Sequence, residues 1–326
     1  MKTISLLVYE DAILSAISGP LDILFGTNHF LKETGRPAAF RVELVSEKLK
    51  NIQLRLPAQF ICHKTLDEVT NTDLIIAPAF NGDPDVILNK NSALVEWIKD
   101  MRQKGSEAAS LCYGSYFLGE AGLLAGKNCT SHWMTVGNMQ KRYPEANVLP
   151  DVVITDEDGV YTSGGAFSSL NLILYLVEKF CGREVGIQVS KMYSIDMDRV
   201  SQAHFSVFMG QHRHDDEDVL KAQTYIEENY QKPMSVEEVA EQANMSKRNF
   251  IRRFKKATQN TPLEYIQRVK IEAAKKSLEK GTQNISSLIY DVGYNDAKSF
   301  RNVFKRFTGL TPQNYRNKYS RGQFTS

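Results

Sequence analysis

The sequence of 326 residues is poor in cysteine and tryptophan, and it has no long apolar run. Its four cysteines, Cys62, Cys112, Cys129 and Cys181, form no CxxC pair. This scarcity excludes a disulfide framework and a cysteine-rich zinc scaffold, and it favours a reducing, cytoplasmic location. The apolar run around Leu172–Val177 is far shorter than the roughly 20 residues that a membrane span needs, so we expect no membrane partner. Glu10 and Asp11 follow the first apolar stretch, which is not typical of a secretory signal.

The overall composition is that of a globular protein with real hydrophobic cores. Hydrophobic residues make up 42% of the chain and charged residues 24%. These values exclude a disordered, collagen-like or coiled-coil chain. At roughly 150 residues per domain, the length predicts two domains.

The small net charge of +2 conceals two parts of opposite charge. Residues 1–217 contain 20 Lys and Arg against 27 Asp and Glu, whereas residues 218–326 contain 20 against 11. An acidic and a basic part in one chain indicate two tasks. The basic part fits a polyanion such as nucleic acid, because contacts to phosphates release counterions, but a solvated basic surface remains open on charge alone.

The first part of the chain alternates short apolar runs with amphipathic stretches. The predicted strands are Ile4–Tyr9, Phe40–Val45, Asp73–Pro78, Ala108–Leu111 and a hairpin formed by Val152–Thr155 and Val160–Thr162. The predicted helices include Tyr116–Leu124 and Leu170–Phe180. This order predicts an α/β domain whose mostly parallel sheet is covered on both faces.

From about Val219 onwards the apolar period changes to that of helices, and no strand pattern follows. The boundary is a polar stretch, Gln211–Asp218, which includes His212, Arg213 and His214. No third ligand is near the two histidines, so we predict a solvated linker here and no metal site. The predicted domains are therefore 1–190 and 218–326, joined by a linker at 191–217.

The basic part contains a duplicated pair of short helices. Ser235 caps a first helix, and Ser246 opens a second one over Lys247–Ala257. The same order recurs about fifty residues later, with a first helix over Ile285–Val292 and a second over Ala297–Thr308. A long helix, Leu263–Lys280, joins the copies. Two short helices with a tight turn and a basic second helix are typical of the helix-turn-helix motif, whose second helix enters the major groove.

These hundred residues resemble the AraC/XylS family of bacterial transcription regulators. The similarity lies in Asp291–Tyr294, in Phe300 and Phe304, in Gly309 and in the run Thr311–Arg316. The resemblance implies an all-α domain with two helix-turn-helix units that read two successive major-groove segments. Ile251 aligns with a position that is often polar in the family, and it is either a core residue or a contact to a thymine methyl.

We expect the solvent-facing side chains of the two second helices to bind double-stranded DNA. The side chains expected at base edges are Arg248, Asn249, Arg252, Lys298, Arg301 and Asn302. Those expected at phosphates are Lys247, Lys255, Lys256, Lys305 and Arg306.

In the acidic part, Cys112 stands between a short strand and a helix. A nucleophile on a sharp strand-to-helix turn is the nucleophile-elbow arrangement, and His132 lies twenty residues further on. Cysteine hydrolysis requires such a pair to be neighbours in space. The pattern also fits an inert buried thiol and a hydrogen-bonded core histidine.

This part resembles the PfpI-like branch of the class I glutamine amidotransferase-like superfamily, which implies a flavodoxin-like fold. The similarity includes Gly19–Asp22, the Cys112 turn, Gly119–Gly126, Ser131–Trp133 and Gly164–Gly165. Fusion of such a domain to an AraC-type domain is typical of the GlxA-like regulators. Tyr113 stands where a histidine follows the cysteine in PfpI-like proteases, and Ala16 stands where one branch has an acid near the thiol.

The missing groups predict an effector site rather than an enzyme, because a thiol without a base and an orienting acid lacks triad chemistry. The predicted ligand-binding residues are Cys112, Tyr113, His132 and Asp22, although Asp22 also fits a helix cap. The sequence thus predicts a homodimeric, ligand-responsive transcription regulator without a cofactor. The family resemblance implies a small nitrogenous effector. The alternative is a cysteine hydrolase or amidase tethered to a DNA-targeting module.

Overall fold

A computed structural model describes residues 1–48, 50–212, 214–281 and 283–320. The chain divides into two compact units, an N-terminal unit of Met1–Gln202 and a C-terminal unit of Ala203–Ser326. Arg213 of the predicted linker and residues 321–326 of the predicted second domain lie outside the described residues.

The N-terminal unit is built on a mostly parallel sheet. Its strands, with two small accessory pairs, are β1 (Lys2–Leu7), β2 (Phe40–Ser46), β3 (Asn51–Gln53), β4 (Gln59–Ile61), β5 (Lys64–Thr65), β6 (Leu74–Ala77), β7 (Glu107–Ser110), β8 (Asn128–Cys129), β9 (Asn147–Val148), β10 (Ile154–Glu157) and β11 (Val160–Ser163). Within the described residues the main sheet has the order β10-β11-β7-β6-β1-β2-β5. All neighbours in it are parallel except the β10–β11 hairpin, in which Ile154 pairs with Ser163.

Helices cover both faces of this sheet. They are α1 (Leu14–Glu33), α2 (Pro84–Lys90), α3 (Ser92–Gln103), α4 (Ser115–Glu120), α5 (Val136–Arg142), α6 (Ser169–Cys181) and α7 (Arg183–Tyr193). All four residues of the central strand β6 are fully buried, which requires cover on both sides because successive side chains point to opposite faces. Together with the strand order, this confirms the predicted flavodoxin-like α/β class.

One predicted helix is shorter than its apolar pattern indicated. The pattern predicts a helix over Tyr116–Leu124, whereas α4 ends at Glu120. Gly122 adopts a φ of 75°, a left-handed conformation that ends a helix, so the apolar residues beyond it pack from a turn.

Every element in the described residues of the C-terminal unit is a helix. Its helices are α8 (Glu217–Asn229), α9 (Val236–Gln242), α10 (Lys247–Thr258), α11 (Pro262–Lys280), α12 (Ile285–Asp291), α13 (Ala297–Thr308) and α14 (Pro312–Tyr319). They form two hydrophobic clusters, one around Phe250 and Phe254 and the other around Phe300 and Phe304. The predicted pairs of short helices and the long helix between them are confirmed to within two residues.

The two copies are held by the same set of contacts. Phe254 meets Tyr265 edge-on at 5.2 Å between ring centroids, and Phe304 meets Tyr315 in the same way at 5.5 Å. The Tyr265 hydroxyl donates to Glu227 at 2.5 Å, and the Tyr315 hydroxyl donates to Glu279 at 2.7 Å. These contacts explain why the sequence repeats a tyrosine three residues after each Thr-Pro pair.

The segment 191–217 is not the unpacked linker that its polar sequence suggested. Gln202 is 1% exposed and belongs to the N-terminal unit, where its side chain donates to the Ser131 carbonyl at 2.8 Å. After Ala203 the chain packs on the C-terminal unit, where the Phe208 ring contacts Tyr265 at 5.0 Å. Gln202 and Phe208 are therefore packed into folded units, which a search for apolar periodicity does not detect.

Candidate functional site

A small cavity lies at the carboxyl edge of the N-terminal sheet. It is about 20 Å³ in volume, room for roughly one water molecule. Its lining comes from the segments that follow four adjacent strands, β1, β6, β7 and β11. The lining residues are Ile13, Ser15, Ala16, Ala79, Cys112, Ala166, Phe167, Ser169 and Leu170. The carboxyl ends of parallel strands are where doubly wound folds bind ligands.

Cys112 occupies the predicted sharp turn between β7 and α4. Its φ is 55°, a left-handed value that is strained for a residue with a side chain. A side chain at Gly114 would come within 2.2 Å of the Ala77 carbonyl oxygen, so only glycine allows the turn to pass so close to β6. The predicted elbow geometry is therefore present.

The thiol of Cys112 is held in a form that is a poor nucleophile. Burial raises its pKa to about 11, and the backbone amides of Ala166 and Tyr113 offset this only in part. Ala16 lies in the cavity wall beside the thiol, so the acid found near the cysteine in one branch of the superfamily is replaced by a methyl group. At neutral pH the group is a thiol rather than a thiolate.

Tyr113 and His132 lie beside the cavity rather than in its lining. Their rings meet edge-on with centroids 5.6 Å apart. Ser131, next to His132, donates to the Cys112 carbonyl at 3.1 Å, so the two segments are adjacent as the sequence predicts. The Met134 amide donates to His132 Nδ1 at 3.1 Å, and burial lowers the pKa of His132, so the ring is neutral with its proton on Nε2. In that state neither ring nitrogen is available as a base.

Asp22 does not lie at this cavity. The sequence places Asp22 at the start of a helix after Pro20, but α1 begins at Leu14 and contains both residues. The Asp22 side chain is exposed, and its carbonyl accepts a hydrogen bond from the Tyr193 hydroxyl. Its predicted role as a cap is wrong, because the proline stands inside the helix rather than at its first turn. Its predicted role as a ligand contact stays a prediction.

Two residues that the structure brings to the cavity were not predicted from the sequence. Ala166 has a φ of 49°, the second strained residue in the lining, and Phe167 next to it is 68% exposed. Both follow Gly164–Gly165, which belong to the similarity with the PfpI-like branch. Gln202 was also missed, although its side chain joins the loop of Ser131 to the amide of Gly165. Their position after β11, beside the elbow strand, is the signal that identifies Ala166 and Phe167.

The candidate DNA-reading residues lie on the outer faces of α10 and α13. Arg248, Arg252, Lys298, Arg301 and Asn302 are exposed, and Asn249 is half-buried. Arg252 donates to the Asn249 side chain at 3.0 Å. Among the residues that the structure describes, the four cations of this set have no carboxylate partner.

Two of the five candidate phosphate contacts already bond to other side chains of the described chain. Lys247, Lys255, Lys256, Lys305 and Arg306 are all exposed. Lys247 forms an ion pair with Glu237, and Arg306 donates to Gln267 at 2.6 Å. Phosphate binding by these two would replace existing contacts.

No group of His, Cys, Asp and Glu side chains within residues 1–48, 50–212, 214–281 and 283–320 is arranged to hold a metal ion. In the same described parts of the chain, every helix is too short or too polar to cross a membrane.

Comparison with known families agrees with both halves of this description. A family described as DJ-1/PfpI matches residues 5–179, and a family described as a helix-turn-helix domain matches residues 239–318. The chain belongs to the DJ-1/PfpI family. Its C-terminal unit carries an AraC-type helix-turn-helix domain.

Three similar proteins are named as transcriptional regulators. The transcriptional regulator GbdR of Pseudomonas aeruginosa is 24% identical over 233 residues, which are 70% of this chain and 62% of GbdR. The regulator CdhR of the same organism is 23% identical, over 68% of this chain and 66% of CdhR. The solved structure of an AraC family regulator from Pseudomonas putida has a TM-score of 0.52 at 18% identity, with 59% of this chain and 100% of that one covered. This DJ-1/PfpI chain thus aligns with somewhat less than two thirds of the length of GbdR and CdhR.

Proposed function

We propose that this protein is a transcriptional regulator that binds double-stranded DNA through α10 and α13. The observation that carries the proposal is the duplicated frame, in which two Phe–Tyr clusters support two second helices with exposed basic faces. The names of GbdR and CdhR as transcriptional regulators support it. Arg and Lys pair with guanine O6 and N7, and Asn pairs with adenine.

The test is a selection by the full chain from a random duplex library. We expect selected fragments to bind more tightly than shuffled fragments of the same composition. The logarithm of the affinity should fall linearly with the logarithm of salt concentration, because phosphate contacts release counterions. Equal binding of selected and shuffled fragments would contradict the proposal.

We further infer that the N-terminal unit binds a small-molecule effector at the Cys112 cavity. The convergence of four strand ends and the two strained residues, Cys112 and Ala166, support this, since backbone strain is concentrated at functional sites. The present volume of about 20 Å³ admits no metabolite. Entry therefore requires movement of the Ala166–Ser168 turn, which carries the exposed Phe167.

A thermal-shift screen of the full chain against amino acids and small amines tests the effector proposal. A compound that raises the melting temperature of the wild type should lose its effect in Phe167→Ala. Phe25→Ala is the matched control, because Phe25 is an exposed phenylalanine on α1 outside the cavity lining. Equal shifts in both variants would place the compound elsewhere.

Three features count against the alternative of a cysteine hydrolase. They are the raised pKa of the Cys112 thiol, the hydrogen bond that occupies His132 Nδ1, and the methyl group of Ala16 in the cavity wall. Alkylation of Cys112, mapped by mass spectrometry, should have its pH midpoint at about 11. A midpoint near neutrality, together with loss of a hydrolase activity in Cys112→Ala, would restore the enzyme alternative. We also propose that the protein is a homodimer in the cytoplasm. Light scattering of the purified chain tests the dimer, since it measures the molar mass.

A further inference from the structure

Lys270, in the middle of α11, is a buried cation without a carboxylate partner among the described residues. Only 4% of the Lys270 surface is exposed to solvent. The Nζ donates to four backbone carbonyls, those of Tyr230 at 2.8 Å, Lys232 at 2.8 Å, Val292 at 3.2 Å and Gly293 at 3.0 Å. An ammonium group has three N–H donors, so these four acceptors share them. Burial lowers the pKa of Lys270 to about 8, which leaves the ammonium as the main form at neutral pH.

The four carbonyls come from both helix-turn-helix copies. Tyr230 and Lys232 belong to the connection between α8 and α9, in the first copy. Val292 and Gly293 form the turn between α12 and α13, in the second copy. The two copies have distinct hydrophobic clusters, and the side chain of Tyr230 packs against the cluster of the second copy. The ammonium therefore adds a polar link to an apolar contact between the copies.

Gly293 lies so close to the Lys270 ammonium that no side chain fits at this position. Its φ is 73°, and an added Cβ would lie 2.3 Å from Lys270 Nζ and 2.8 Å from the carbonyl oxygens of Gln231 and Lys232. The equivalent turn of the first copy has the same left-handed backbone but uses Asn244, with a φ of 53°. The glycine therefore permits a close approach of the two copies as well as the turn itself.

We propose that Lys270 is a positioning residue that fixes α10 relative to α13 and thereby sets the spacing between the two DNA half-sites. This inference rests on the proposed DNA-binding function. The long lysine side chain carries a compact charge that reaches both turns. Burying this charge among neutral carbonyls lowers stability, whereas burying an apolar side chain there would not. Its contribution is to geometry. The α8–α9 connection leads into the first copy and the α12–α13 turn leads directly into α13, so the ammonium fixes the distance between the two copies that carry α10 and α13.

The test compares DNA spacing preference in the full-length wild type and in Lys270→Met. The probes are a duplex selected by the wild type from a random library and the same duplex with one or two base pairs inserted between the half-sites. Each inserted base pair rotates one half-site by roughly 34° relative to the other. We expect the wild type to lose about tenfold or more in affinity on insertion. Lys270→Met should lose much less, while it binds a fragment with a single half-site as tightly as the wild type.

Lys276→Met is the matched control, because Lys276 is an exposed lysine on the same helix, and it should keep the wild-type spacing preference. Gly293→Ala is a second test variant, since its methyl group displaces the ammonium, and it decides the matter if Lys270→Met does not fold. An unchanged spacing preference in a folded Lys270→Met or Gly293→Ala overturns this inference but not the proposed function. Absence of any selected site in the wild type overturns the proposed function instead.

Discussion

The two helix-turn-helix copies of the C-terminal unit share a packing frame but differ at nearly every exposed position. The frame consists of two phenylalanines four residues apart, a threonine that closes the helix, and a tyrosine bonded to a glutamate. On the outer face, Ile251 of the first copy stands where the second copy has Arg301. Packing conserves the shape of each copy, whereas solvent leaves the outer side chains free to differ. The two helices should consequently prefer different bases.

The flanking contacts of the copies differ as well. Arg253 of α10 donates to Asp216 at 2.6 and 2.9 Å and to Asp218 at 3.1 Å, which ties the first copy to the segment before α8. The second copy is approached by Ala203–Phe205, which lies against α13. The chain that leaves the N-terminal unit therefore contacts both copies in turn.

The largest expected effect concerns the shared frame. Phe254→Ala and Phe304→Ala each remove a fully buried ring and should each lower the free energy of unfolding by about 3–5 kcal/mol. Because the clusters are separate, hydrogen exchange should localise the loss to the copy that carries the substitution. Chemical denaturation and hydrogen exchange by mass spectrometry measure both quantities. Uniform loss of protection in both copies would show that they are one cooperative unit.

The next largest effect concerns DNA binding by the exposed faces of α10 and α13. Arg252→Ala and Arg301→Ala should each weaken specific DNA binding by about 1–3 kcal/mol and relax base preference in different half-sites. Binding to a set of single-base variants of the selected duplex measures this. Lys255→Ala and Lys305→Ala are controls that should weaken specific and random DNA alike. Equal weakening on random DNA by the arginine variants would identify them as phosphate contacts.

The caps of the two second helices provide a smaller contrast. The Asp296 side chain accepts a hydrogen bond from the Ser299 amide at 2.6 Å, whereas Ser246 occupies the same position without a capping bond. Asp296→Ala should therefore lower stability by about 1 kcal/mol, and Ser246→Ala by only a few tenths. Thermal unfolding of the two variants measures the difference. Equal losses would mean that Ser246 caps its helix in solution.

The smallest effect lies at the helix ends. Gln259 and Gly309 occupy equivalent left-handed positions, with φ of 60° and 70°. Gly309→Ala should lower stability by roughly 1 kcal/mol because a Cβ is strained there. Gln259→Gly removes that strain but adds freedom to the unfolded chain, so its net effect should be smaller than about 1 kcal/mol. Differential scanning calorimetry measures both, and a larger loss in Gln259→Gly would reverse the comparison.

The sequence predicts most of the C-terminal unit because its information is local and given twice. Caps, apolar spacing and the repeated Thr-Pro pair locate α10, α11 and α13 to within one or two residues. The link through Lys270 was not predicted, since a lysine on a long helix gives no local sign that it will be buried among four carbonyls. That arrangement depends on turns about 40 residues before it and 20 after it.

In the N-terminal unit the elbow at Cys112 was predictable because a strand, a small-residue turn and a helix follow one another directly. The cavity wall was not, because it is assembled from four strand ends that are distant in sequence. Asp22 was misplaced because Pro20 reads as a helix start, whereas α1 contains it. Gln202 was misplaced because a buried glutamine has the same sequence signature as a polar linker residue.

Base-resolved footprinting of the full-length protein on its selected duplex is the direct test of DNA reading by two helices. We expect two protected major-groove segments on one face of the duplex, about one helical turn apart and unlike in sequence. Arg252→Ala should remove protection in one segment and Arg301→Ala in the other. A single protected segment, or one that both substitutions affect alike, would contradict the claim that α10 and α13 read DNA as two distinct helices.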